Sequence, residues 1–315
     1  MQIFYYLLLL PAAYIVLIAA PAIAMCFVVF SKKNNPASKR AIPTRDYYIP
    51  YTKEILAAIA ELSALSPQEV SVISNDGAVL RGSYISGGFQ QTAILLHGFR
   101  ANPAESLAVA GKALYERRFN LLLIDQRAHG RSGGKHSLLG LKEQDDVLAW
   151  VNWATQSTNA KKLLLYGMSM GGAAIAYASD RLPADTVGAM VLDCGFTSPY
   201  DHLREDARKW HLPGRLLMPL FALYAKLLFH VDLRQKTGDT LARTTVPAVF
   251  LHGTADRGVR IAQGMKNFRR CASEKLWLPV ADADHTVAFL KSSREEKETL
   301  FRFIQKYIKD TRIEP

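Results

Sequence analysis

Between residues 92 and 280 the chain repeats one pattern: a short run of consecutive apolar residues, a turn, then a segment whose apolar positions fall three and four apart. The runs are TAILLHG (92–98), NLLLID (120–125), KLLLYG (162–167), AMVLDC (189–194), PAVFLHG (247–253) and KLWLPV (275–280). Helical spacing fills 103–118, 141–156 and 171–181 between them. Strands apolar on both faces, alternating with amphipathic helices, predict an α/β architecture: a mainly parallel sheet with helices on both sides. Ahead of them, EVSVISNDGAVLRGSYIS (69–86) alternates apolar and polar residues on either side of Asn75-Asp76-Gly77. That pattern predicts two antiparallel strands, with Asp-Gly supplying the positive φ angles of a tight hairpin. The expected sheet has eight strands.

Two segments break the rhythm. The strand ending near Cys194 and the one starting near Pro247 are separated by far more than the usual connection. The insertion, about 198–246, includes RLLMPLFALYAKLLFHV (215–231), apolar almost all round, and reads as a cap or lid with an apolar face toward a substrate. At the other end, no side chain from Met1 to Ser31 is charged, and 5–30 exceeds the roughly 20 apolar residues that span a bilayer. Pro11 and Pro21 are tolerable in such a helix. AIA at 22–24 resembles a signal cleavage site, but no basic residue precedes it and the apolar run continues beyond it. The reading is a retained single-pass anchor over 1–31, a polar, proline-containing linker over 32–50, and a folded domain over 51–315.

Composition changes this picture little. The 315 residues are 49% hydrophobic and 21% charged, enough for a sizeable core. Of the net charge of +11, five units sit in residues 1–45, at Lys32, Lys33, Lys39, Arg40 and Arg45, with no acid among them. A basic cluster on the C-terminal flank of the span places the folded domain in the cytoplasm by the positive-inside rule, and would be drawn to anionic lipid. Basic residues are nowhere interleaved with aromatics, so no nucleic-acid partner is expected. Cys26, Cys194 and Cys271 are odd in number and lack metal-ligand spacing, which argues against a disulfide framework and a zinc site.

The candidate chemistry centres on LLLYGMSMGGAA (163–174). A strand leads into Gly167-Met168-Ser169-Met170-Gly171 and an alanine-rich helix leads out, the G-x-S-x-G form of a nucleophile elbow. The glycines two residues to either side of Ser169 leave space where strand and helix approach most closely. Among eight histidines, His97 and His252 read as turn residues after strands, and His129 and His136 lie in the loop DQRAHGRSGGKHS. His202, His211 and His230 belong to the insertion. His285, in ADADHT (281–286), follows the last strand, where chain order nucleophile, acid, base requires the base. Asp256, just past a strand end in LHGTADRGV (251–259), is the candidate acid, with Asp193 as runner-up. Asp282 and Asp284 are close to His285 in sequence, but a short loop rarely aims such neighbours at its Nδ1. The oxyanion donors expected are the backbone N–H groups of Met170 and of Phe99, in LLHGFRANP (95–103).

In order and spacing, HGFRANP, DQRAHGRSGG, GMSMGG, HGTAD and ADADHT resemble the motifs of the α/β-hydrolase superfamily over about residues 70–310. The likeness extends to membrane-anchored serine hydrolases with a short cap, similar to the BEM46-like and prolyl-oligopeptidase-related groups. The resemblance implies Ser169 as nucleophile, Asp256 as acid, His285 as base, and a mainly structural role for the 125–134 loop. The reading is a serine hydrolase needing no metal or cofactor, and the apolar insertion with the membrane anchor suggests a hydrophobic acyl substrate, an ester, thioester or lipid; an acyltransferase or a peptidase-like amide hydrolase would use the same triad. A serine at the elbow disfavours epoxide-hydrolase and dehalogenase chemistry, which use an aspartate there. Two departures stand out. Asp284 replaces the usual glycine before the base and is expected to perturb it, and no β-propeller precedes the fold, which argues against oligopeptidase activity.

Overall fold

The computed structural model describes residues 15–32 and 45–308. Eight strands form one sheet in the order β1-β2-β4-β3-β5-β6-β7-β8. They are β1 (Gln68–Ile73), β2 (Val79–Ile85), β3 (Gln91–Leu96), β4 (Phe119–Asp125), β5 (Lys162–Met168), β6 (Val187–Asp193), β7 (Ala248–Gly253) and β8 (Lys275–Val280). β1 with β2 and β2 with β4 are antiparallel, and every other neighbouring pair is parallel. The joint between β1 and β2 is longer than the tight turn expected. Ile73 pairs with Val79, and Ser74 and Ala78 close a loop in which Gly77 alone has positive φ, at 80°. Asp76 instead turns its carboxylate to Arg127, 2.8 Å away, whose guanidinium is also paired with buried Asp146.

Helices cover both faces because the central strands are apolar on both sides. One face carries α2 (Thr52–Ala64), α3 (Pro103–Tyr115) and α11 (Arg294–Ile308), which close a core containing Ile55, Leu107, Leu114, Phe301 and Ile304. The other carries α4 (Glu143–Ser157), α5 (Met170–Ala178) and α9 (Ile261–Arg270), around Val147, Trp150, Ile175 and Leu241. Short α10 spans Ala288–Lys291. α3 shows why a helix starts where it does: Asn102 accepts from the amide of Glu105 at 2.8 Å, and Pro103, which has no N–H to leave orphaned, occupies the first turn.

The insertion is helical: α6 (Pro199–Lys209), α7 (Gly214–Phe229) and α8 (Thr237–Leu241). It packs with α1 (Ala20–Phe30), the end of the uncharged N-terminal stretch, in a third apolar cluster. Cys26 and Phe30 of α1 are buried, and the Phe30 ring lies 5.4 Å from those of Phe221 and Phe229. α7 is more two-sided than its composition suggests: Leu217, Met218, Phe221 and Ala225 face inward, whereas Leu216, Leu223, Leu227 and Leu228 are exposed. No helix among the described residues is long and apolar enough to cross a membrane. The first fourteen residues of the expected anchor, and Lys33, Lys39 and Arg40 of the linker, lie outside the described residues. The end of the expected linker is folded: Asp46–Tyr51 form a 3-10 helix that buries Tyr48.

Candidate active site

The strand order reverses around β3. The chain passes from β3 outward to β4, crosses back to β5, and continues to the other edge. Loops leaving the carboxyl ends of β3 and β5 therefore diverge, and a crevice opens between them. The parallel register sets Leu96 beside Gly167, and Met168 beside Asp193. The segments beginning at His97, Ser169 and Cys194 thus emerge side by side.

Ser169 occupies the junction of β5 and α5 with φ 54° and ψ −113°, a conformation that side-chain-bearing residues rarely adopt. A serine at a helix N-cap ordinarily accepts a hydrogen bond from the first turn. Here the twisted backbone aims the hydroxyl elsewhere, and Ser169 makes no capping bond. The flanking glycines are needed for close approach: a Cβ on Gly167 would strike the backbone of Gly171, and one on Gly171 the carbonyl of Leu96.

The structure brings together the three side chains singled out from the sequence. His285 Nε2 lies 3.0 Å from Ser169 Oγ, and His285 Nδ1 lies 2.9 Å from Asp256 Oδ2. All three residues are buried. Asp256 Oδ1 accepts the amides of Gly258 and Val259 at 2.8 and 2.7 Å, which fixes the carboxylate. Burial alone would raise its pKa, but the charge of His285 and hydrogen bonds from His252 and His285 hold it well below the usual carboxylate range. An ionised carboxylate only accepts, so Nδ1 carries the proton and Nε2 is left as the acceptor facing the serine hydroxyl.

Asp193, the runner-up acid, is not bonded to His285. Its Oδ2 accepts from the Tyr166 hydroxyl at 2.9 Å, its Oδ1 is buried without a hydrogen-bond partner among the described residues, and burial pushes its pKa up to about 6. Its contribution to the elbow is its backbone carbonyl, which accepts the Ser169 amide at 2.7 Å. Asp284 does not face the imidazole. Its carboxylate binds the Arg257 guanidinium and accepts the amides of Arg257 and His285. Cys194 is the other neighbour. It and the acid and base hold donor atoms within 4.8 Å of one another, but Asp256 and His285 are already bonded together and burial pushes the thiol well above its ordinary range. That donor set suits proton transfer rather than metal ligation.

Of the expected oxyanion donors, Phe99 lines the same cavity as Ser169 and Met170 opens the helix that follows it, and neither amide has a hydrogen-bond partner among the described residues. Gly98 runs close beside the nucleophile: a Cβ there would meet that of Ser169 at 3.4 Å, an ordinary contact. Two histidines that read as turn or loop residues hold this loop. His97 Nδ1 donates to the Gly98 carbonyl at 2.7 Å and its Nε2 accepts the Gln126 amide at 3.1 Å; burial and neighbouring His129 pull its pKa to about 3. His129 Nδ1 donates to the Arg127 carbonyl and its Nε2 accepts the Arg100 amide at 2.9 Å. Each neutral ring both donates and accepts along the backbone, so together they set the course of residues 97–100. Sequence reading missed three further residues. His252 donates to the Val259 carbonyl and lies 3.3 Å from Asp256; Gly258 has no Cβ to strike the ring of His285; Tyr48 donates at 2.7 Å to Thr286 beside the base.

Two cavities adjoin the site. A polar one of about 20 Å³ is lined by Ser169, His285, Gly98, Phe99, Tyr48, Arg45, Arg100 and Glu105, among others. An apolar one of about 390 Å³ lies between α1, the insertion and the 97–100 loop, with Val29, Phe99, Leu203, Leu217, Met218 and Phe221 in its walls. Phe99 and Arg100 belong to both.

The comparisons with known proteins agree with this architecture. The sequence model of the alpha/beta hydrolase fold matches residues 93–217. The uncharacterized protein YqkD of Bacillus subtilis (strain 168) is 25% identical over 217 residues, covering 68% of this chain and 70% of that protein. Among solved structures, the Pyrococcus furiosus esterase Pf2001 superposes with a TM-score of 0.63 at 23% identity, over 78% of this chain and 94% of that one. A membrane phospholipase A described as a bacterial virulence factor superposes with a TM-score of 0.56 at 18% identity, over 83% of this chain and 93% of that one. The chain is an α/β-hydrolase-fold protein.

Proposed function

We propose that this protein is a serine hydrolase of carboxylic esters, with Ser169 as nucleophile, His285 as general base and acid, and Asp256 as the residue that orients and stabilises the imidazolium. The observation that carries this is the continuous chain of contacts from Asp256 through His285 to Ser169, at 2.9 and 3.0 Å. Ser169 Oγ attacks the acyl carbon while His285 Nε2 takes its proton. The amides of Phe99 and Met170 receive the oxyanion, and the positive end of α5 adds to its stabilisation. The leaving alcohol departs with the proton from His285. Water enters by the same route and releases the acid. The esterase and phospholipase likenesses named above agree with ester chemistry.

The apolar cavity supports a hydrophobic substrate part of moderate length, and the finer placement we favour is among BEM46-like, membrane-associated hydrolases. The exposed leucines of α7, with Ile23 and Phe27 of α1, support membrane association; our reading of a cytoplasmic domain rests on the basic flank alone. A panel of 4-nitrophenyl esters of increasing chain length, turned over by wild type and by Ser169→Ala, tests the function. Turnover by wild type with loss in the variant supports it; equal turnover by both contradicts it. A periplasmic reporter fused at residue 315 that proved active would overturn the orientation.

A further inference from the structure

The polar cavity at Ser169 carries more positive charge than the triad chemistry uses. Two guanidiniums, Arg45 and Arg100, line it against one carboxylate, Glu105, which is itself engaged with the Asn102 amide group at 3.3 Å at the start of α3. Arg100 is held in place at some strain. Its φ is 53°, and its amide is fixed by His129. One guanidinium nitrogen, Nη2, donates to the Val28 carbonyl of α1 at 2.8 Å, and the group lies over the Phe99 ring at 5.0 Å. Its Nε is buried with no hydrogen-bond partner among the described residues. A buried charged donor without an acceptor is costly, so the Arg100 guanidinium keeps bonding capacity that the described residues leave unmet. Burial and then the nearness of Arg45 lower the Arg100 pKa, as expected for two cations that face the same space. Arg45 is exposed at the rim, where its Nη1 donates to the Tyr47 hydroxyl at 2.6 Å.

Arg100 also lines the apolar cavity, so it marks the border between the two compartments. An ester with its carbonyl carbon at Ser169 would lie across that border, one half among apolar side chains and the other before the arginines. Building on the serine-hydrolase reading, we propose that Arg45 and Arg100 form an anion anchor, and that the substrates are amphiphilic esters whose polar half carries a carboxylate or phosphate. Guanidinium pairs bind such oxygens bidentately, through charge-assisted bonds stronger than neutral ones.

The test compares matched esters on the full chain. One pair is 4-carboxyphenyl octanoate against phenyl octanoate; the other is 1-octanoylglycerol 3-phosphate against 1-octanoylglycerol. The anchor predicts kcat/KM about tenfold or more higher for the anionic member of at least one pair, carried by KM, and the pair that responds identifies carboxylate or phosphate. Arg100→Gln and, separately, Arg45→Gln should bring that ratio to within about twofold of unity, and Arg100→Lys should retain part of it. A ratio near one in wild type for both pairs, or one unmoved by both glutamine variants, overturns the anchor while leaving the hydrolase reading intact. Cleavage of none of the four esters would fall on the hydrolase reading. Protection of Ser169 from a fluorophosphonate label by octyl phosphate or decanoate, but not decanol, would then decide the anchor alone; equal protection by all three overturns it.

Discussion

The rim of the sheet and the cover above it are built on opposite plans. At the rim, Ser169, His285, Asp256, His97 and His129 are buried, and their polar atoms are bonded to one another or to backbone at the ends of adjacent parallel strands. In the cover, α1 and α7 meet through aromatic and aliphatic contacts, and α7 leaves leucines outside. Directional bonds in a low-dielectric setting define one geometry to within a fraction of an ångström; apolar packing defines a volume. On the proposed reading, the rim carries the reaction and the cover chooses the substrate.

Substitutions at the rim should therefore cost rate, and those in the cover should cost selectivity or stability. Ser169→Ala is expected to lower kcat by about 10⁴-fold or more on any ester, with thermal unfolding unchanged. Asp256→Asn should cost about 10⁴-fold, because the proton on His285 is no longer held on Nδ1, whereas Asp193→Asn should stay within about tenfold. Comparable losses in those two variants would reverse the choice of acid. Asp256 also makes a pH prediction. Its pKa is depressed in the folded protein, so its stabilising contribution is present above the unfolded value of about 4 and is lost as pH falls below it. Unfolding temperature followed from pH 6 to pH 2 should fall less steeply in Asp256→Asn than in wild type.

In the cover, Phe221→Ala removes a fully buried ring that touches α1 and should destabilise by about 3 to 5 kcal/mol in denaturant titration, with the loss of long-chain ester turnover exceeding that of short. His129→Ala loosens the amide of Arg100 and, through it, the Phe99 donor; about a tenfold to hundredfold loss in kcat is expected, at little change in KM. The smallest effect belongs to Leu227→Ser, on the exposed side of α7. Stability should stay within about 0.5 kcal/mol, while sedimentation with anionic vesicles weakens. A larger loss of stability than of vesicle binding would mean that this face packs on protein.

The same contrast governs what is legible in the chain. Strand positions can be read because a short run of consecutive apolar residues between turn signals fits a strand buried on both faces. Ser169, Asp256 and His285 can be read because each follows a strand at the edge where such sheets keep their chemistry. The loop between β1 and β2 departs from the expected hairpin because Asp76 is drawn to Arg127, a partner 51 residues away that no local turn rule contains. Tyr48 reads as linker for the same reason: its partner, Thr286, is 238 residues distant. His97 and His252 read as turn residues because a Leu-His-Gly turn carries no sign of which backbone groups the ring will meet. Arg100 carries no signal either, since a single basic residue beside a loop reads as solvated surface, and Arg45 reads only as part of the basic flank.

The most direct test is the site of covalent capture. After treatment with a fluorophosphonate, peptide mass spectrometry should find one adduct, on Ser169, and a structure of that adduct should place the phosphoryl oxygen within hydrogen-bonding distance of the Phe99 and Met170 amides. An adduct on another residue, or ester turnover that survives full modification of Ser169, would contradict a serine-hydrolase mechanism centred on that hydroxyl.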